Sequence, residues 1–67
     1  MNWDRIEGQW KQLKGNAQQR WGKLTDDELT TIAGKRTALQ GAIQVRYGCA
    51  KERADKELDE FAERLVR

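Results

Sequence analysis

Two stretches decide the fold: Ile6-Glu7-Gly8-Gln9-Trp10-Lys11-Gln12-Leu13-Lys14-Gly15-Asn16-Ala17-Gln18-Gln19-Arg20-Trp21-Gly22 and, 26 residues later, Ile32-Ala33-Gly34-Lys35-Arg36-Thr37-Ala38-Leu39-Gln40-Gly41-Ala42-Ile43-Gln44-Val45-Arg46-Tyr47-Gly48. They share one ungapped frame, I-x-G-x4-L-x-G-x2-Q-x-R-[WY]-G. Eight matches in one frame exceed what helical patterning alone supplies, so the chain reads as two copies of one helical unit. The copies differ where Trp10 meets Arg36, so the two units cannot pack alike everywhere.

Working outward, Trp3, Ile6, Trp10, Leu13, Ala17 and Trp21 step by three or four and form one apolar helical face. Gly22 is the expected stop, and Gly8 is a place where a short first turn splits off. Thr25-Asp26-Asp27-Glu28 is a capping box, with Leu24 and Leu29 at the flanking staple positions. That second helix should end near Ala33 and Gly34. A third is expected from about Lys35 to Tyr47, stopped by Gly48. A fourth should run from about Ala50 to Val66, burying Ala54, Leu58, Phe61 and Leu65. On its far side Glu52, Lys56, Glu60 and Arg64 form a ladder of alternating charge at spacing four. No alternating pattern argues for a strand. The expected fold is all-α: a small bundle of four short helices, five if Gly8 breaks the first, arranged as two helical hairpins at a steep angle. Residues 1–67 are expected to form one domain, with no linker.

Composition narrows function mainly by exclusion. The 67 residues carry 13 Lys+Arg against 11 Asp+Glu, a net charge of +2, with no His, no Ser, no Pro and one Cys. A chain this short buries only about 60% of its unfolded surface, so its core is thin. His-based acid–base chemistry, Ser nucleophiles and Cys/His zinc sites have no residues to use. The capping box accounts for Asp26, Asp27 and Glu28 without a catalytic or cation site. Asp55-x-Glu57-x-Asp59 lacks the glycine that a calcium loop needs for its turn. The glycine triplets follow no strand, so they are neither a dinucleotide fingerprint nor a phosphate loop. Spacing of seven instead suggests small faces where helices cross. No catalytic, cofactor-binding or metal-binding residue is nominated, and no enzyme activity is expected.

The first residues are charged and carry no apolar leader. The longest uncharged run, Thr37 to Val45, is far too short for a membrane span. Cys49, alone, reads as a half-buried thiol, with a reactive or dimer-forming thiol as the alternative. A cytoplasmic, non-membrane setting is the simplest expectation. Charge is uneven, because residues 35–48 hold three basic groups and no acid. Lys11, Lys14, Arg20, Lys23, Lys35, Arg36 and Arg46 all lie in or beside the repeated units. With Trp21 and Tyr47 as stacking surfaces they are a candidate patch for nucleic acid or for a protein partner. Net charge is low and helical phase scatters several of these groups, which favours an unknown protein partner over nucleic acid.

Trp10-Lys11-Gln12-Leu13-Lys14-Gly15, Trp21-Gly22-Lys23-Leu24-Thr25-Asp26-Asp27, Gly34-Lys35-Arg36 and Leu39-x-Gly41-x-Ile43-Gln44-x-Arg46-Tyr47-Gly48 together resemble the CsbD-like (YjbJ-like) family of small bacterial proteins. The resemblance runs from about Trp10 to Phe61. It implies a cytoplasmic, non-enzymatic bacterial protein tied to general stress responses, acting by interaction with another protein or by general protection. It also implies two helical hairpins with approximate duplication, similar to SAM-domain-like bundles. The family supplies no catalytic or binding residues to carry over, and Trp3 and Cys49 lie outside its pattern.

Overall fold

The computed structural model describes residues 3–65, all of whose regular structure is helical. Five helices follow in order: α1 Trp3–Gly8, α2 Trp10–Arg20, α3 Asp26–Ile32, α4 Arg36–Tyr47 and α5 Lys51–Leu65. The first apolar segment does split, with Gln9 as the N-cap of α2. Val66, the expected end of the last helix, lies outside the described residues.

Local chemistry explains the boundaries. The Thr25 hydroxyl accepts from the Glu28 N–H at 3.1 Å, and Glu28 Oε1 accepts from the Thr25 N–H at 3.0 Å. This reciprocal pair satisfies two donors that an α-helix otherwise leaves open. Ala33 then closes α3 in the left-handed region at φ 55°, and Gly34 follows at φ 78°. Gly34 is required there twice over. A Cβ on it would stand 2.9 Å from Glu7 Cα and 3.1 Å from Trp10 Cβ, so the α1–α2 corner lies directly on its backbone. Gly48 closes α4 with φ 61°.

The core draws on every helix. Ile6, Ala17, Leu29, Leu39, Ala54 and Leu58 are wholly buried, joined by Trp10, Trp21, Leu24, Ile43 and Phe61. Both staple leucines, Leu24 and Leu29, are inside. α5 buries the expected Ala54, Leu58 and Phe61 and also Ala62, while Leu65 packs against the core's edge. The main helix contacts are α2 with α3, α3 with α4, α4 with α5, and α1 with α2. The Cα radius of gyration is 10.7 Å, close to the roughly 11 Å of a compact chain this long. A short chain with a thin core therefore folds because its few large apolar residues share one side of each helix.

Two expectations need correction. Gly8, Gly15 and Gly41 would meet nothing within 4 Å if given a Cβ. They do not mark helix crossings, and only Gly34 admits a close neighbour. The α5 charge ladder also does not close on itself, since Glu60 reaches across to Arg20 at 3.0 Å. The intrahelical pair that forms is Arg53 with Glu57 at 3.7 Å. A carboxylate facing a neighbouring helix finds an arginine there, and this competes with its own i±4 partner.

Candidate functional site

The nominated basic groups sit on α2, α4 and the turns that follow α2 and precede α4, as the repeat implied, and carboxylates of the neighbouring helices hold most of them. Lys14 pairs with Asp26 at 3.1 Å and donates to Thr30 Oγ1 at 3.0 Å. Arg20 meets Glu57 at 3.3 Å and Glu60 at 3.0 Å. Arg36 holds Asp59 at 2.8 Å and Asp55 at 3.8 Å, and its guanidinium lies 5.4 Å from the Trp3 ring. Arg46 donates to Glu28 Oε2 through both Nε and Nη2, at 2.9 and 2.6 Å. Lys23 lies 5.1 Å from the Tyr47 ring, and its backbone N–H donates to the Tyr47 hydroxyl. Lys11 and Lys35 are exposed.

The two candidate stacking residues take opposite roles. Trp21 is 2% exposed and packs at 55° on Phe61, with ring centroids 4.9 Å apart. Tyr47 remains 38% exposed. Glu28, the carboxylate that Arg46 holds, is shifted in acidity. Its carboxyl is held below the ordinary value of 4.5, chiefly by the Thr25 backbone N–H and then by Arg46.

A cleft of about 340 Å³ opens between the C-terminal ends of α2 and α4 and the first turns of α5. Arg20, Trp21, Ile43, Tyr47, Cys49, Arg53 and Glu57 line it. Cys49 is half-buried there, with Sγ 4.0 Å from the Ile43 carbonyl oxygen. Of these lining residues, Arg20 and Trp21 carry buried donors, Nε and Nε1, with no acceptor among the described residues. Arg53 carries no signal in the sequence, and Glu57 enters only within the dismissed Asp55-x-Glu57-x-Asp59 pattern, because an i,i+4 pair on a charged helix looks like an ordinary solvated face. Also missed was the outer face of α4, where Val45 is 80% exposed beside exposed Ala38 and Gly41. The uncharged run from Thr37 to Val45 was its signal. Among the described residues no group of three or more His, Cys, Asp or Glu could hold a metal ion. No described helix is long and apolar enough to cross a membrane.

Together these features define a small all-helical protein with a duplicated unit and a surface laced by ion pairs. The chain belongs to the CsbD-like family, whose model matches residues 4–56. It is 60% identical over 58 residues to a UPF0337 protein of Pectobacterium atrosepticum, covering 87% of this chain and 84% of that one. It is 52% identical over 64 residues to the UPF0337 protein YjbJ of Escherichia coli, covering 96% and 93%. A UPF0337 protein of Rhodopseudomonas palustris is 52% identical over 61 residues, covering 91% and 92%. No solved structure matches.

Proposed function

We propose that the protein performs no chemistry of its own and serves the bacterial general stress response by binding another protein. The outer face of α4 carries this reading. Ala38, Gly41 and Val45 lie along it, all exposed, and Val45 is 80% exposed. The same positions of the sister helix α2 hold Gln12, Gly15 and Gln19. The repeat therefore accepts polar residues at these positions, and the exposed apolar residues of α4 serve something other than folding. A photoreactive phenylalanine analogue at position 45 should cross-link one defined protein in stressed cells, and the same analogue at position 19 should not. Equal labelling from both positions, or none from position 45, sinks the reading.

The alternative is a nucleic-acid-binding module. Lys14, Arg20, Arg36 and Arg46 each already face a carboxylate. That reading therefore leans on Lys11, Lys23 and Lys35. Its mark is duplex affinity that falls steeply with salt and falls again when those three lysines become glutamates. Affinity indifferent to either change excludes it.

A further inference from the structure

We propose that the cleft between the ends of α2 and α4 and the start of α5 binds a small organic anion, a carboxylate on an apolar body. Several independent features of the cleft converge on that chemistry. α5 is a 15-residue helix whose start borders the cleft through Cys49 and Arg53. Its N-cap is Ala50, whose carbonyl accepts the Ala54 N–H at 3.1 Å. A methyl side chain cannot cap, so the first-turn N–H groups are left for an outside acceptor. α3 meets the same need internally, through Thr25 and Glu28.

Arg53 adds a mobile cation. Its side chain is 69% exposed and held by Glu57 only at 3.7 Å. Arg20 is more firmly fixed by Glu57 and by Glu60 outside the cleft, so it serves as wall rather than hook. Trp21, 2% exposed, lines the same cleft with its indole N–H unpartnered, as does Arg20 with its Nε–H. A buried donor without an acceptor is costly, and a carboxylate seated in the cleft beside the Arg20 wall gives the Trp21 indole N–H one. Ile43 and the Tyr47 ring supply an apolar floor for the body of the ligand. Two arginines against one glutamate leave the lining net positive.

The test is titration of the full chain with benzoate, and with neutral benzamide of the same shape, followed by amide and indole NMR. Benzoate should give saturable shifts at Lys51, Glu52 and Arg53 and at the Trp21 indole N–H, with the Trp10 indole unmoved. Benzamide should bind about tenfold more weakly, as befits the loss of a charge-assisted hydrogen bond. Arg53→Gln should weaken benzoate by a similar factor. Ala50→Asp should abolish binding while raising Tm, because an aspartate caps α5 and occupies the anion's place. The rise in Tm separates a blocked site from a damaged fold. Unsaturable drift overturns the proposal. So does equal binding of benzamide, or an Ala50→Asp variant that binds benzoate like the parent.

Discussion

The α2–α3 junction and the α4–α5 junction are the same contact built twice from different materials. Trp10 reaches Leu29 across the first, its indole N–H donating to the carbonyl oxygen at 2.7 Å. Moved by 26 residues, that pair becomes Arg36 and Asp55, which lie 3.8 Å apart across the second. The offset extends into α5, where Leu58 follows Ile6 and Ile32, and Leu65 follows Leu13 and Leu39. Ile6, Ile32 and Leu58 are all buried. α5 thus stands in for the opening of a third unit, fused into one helix. A repeated backbone arrangement does not require repeated energetics. One junction is held by a 6% exposed indole, the other by an arginine at the surface.

Truncation separates the two most sharply. Trp10→Ala removes a large core side chain and one of the two donors to the Leu29 carbonyl, which keeps the Ala33 N–H, and should cost about 3–5 kcal/mol. Total stability of folded domains is about 5–15 kcal/mol, and a short chain with a thin core is expected low in that range, so the variant should keep only about 0–2 kcal/mol at 25 °C. Arg36→Ala breaks two exposed ion pairs and should cost under about 1 kcal/mol. Urea titration followed by far-UV circular dichroism reads both. Comparable losses would mean the junctions are energetically alike after all.

The paired glycines sharpen the same contrast. Gly8 and Gly34 occupy equivalent positions, yet Gly8 faces open space and Gly34 lies against Glu7 and Trp10 with φ 78°. Gly34→Ala should cost about 1–2 kcal/mol from the left-handed backbone alone, with the 2.9 Å approach to Glu7 Cα adding to it. Gly8→Ala should be neutral or stabilising by up to about 1 kcal/mol. Thermal melts of the two variants, moving in opposite directions, are the expected result.

Much of this was legible in sequence, for reasons that mark its limit. Spacing of apolar residues fixed which faces turn inward, and the Thr25–Glu28 box announced the start of α3 because both partners are local. The glycine period misled because it records a repeat, whereas close approach depends on what lies opposite. Gly34 has the α1–α2 corner there and Gly41 has solvent. The basic patch was visible as composition. Its partners, Glu57 and Glu60 on α5 for Arg20 and Glu28 on α3 for Arg46, are set by helix orientation, which no local pattern encodes. The outer face of α4 drew no notice because Val45 on a short uncharged run resembles core.

The cap of α3 offers the next test, since α5 begins at Ala50 without one. Thr25→Ala should cost about 1 kcal/mol, and a serine at position 50 should return a smaller gain at the other helix. If both changes are silent, capping does not distinguish the two starts.

The smallest effect is the pH dependence of that same cap. Glu28 accepts from the Thr25 N–H and from Arg46, and both interactions favour its charged form. Its folded value lies below 4.5, so folding is helped wherever Glu28 stays ionised in the native state. That help is full above the unfolded value and disappears as pH falls through the depressed folded one. Lowering pH from neutrality should leave this contribution untouched until the ordinary carboxylate range, then remove it. Glu28→Gln should flatten that part of the profile relative to the parent, measured as urea midpoints at stepped pH. The effect should be modest, because the Glu28–Arg46 pair lies at the surface and is screened there. Arg46→Gln should remove part of the slope and leave the rest, because the Thr25 N–H remains. A profile unchanged by either variant would mean that the acid sensitivity of this fold does not pass through the α3 cap.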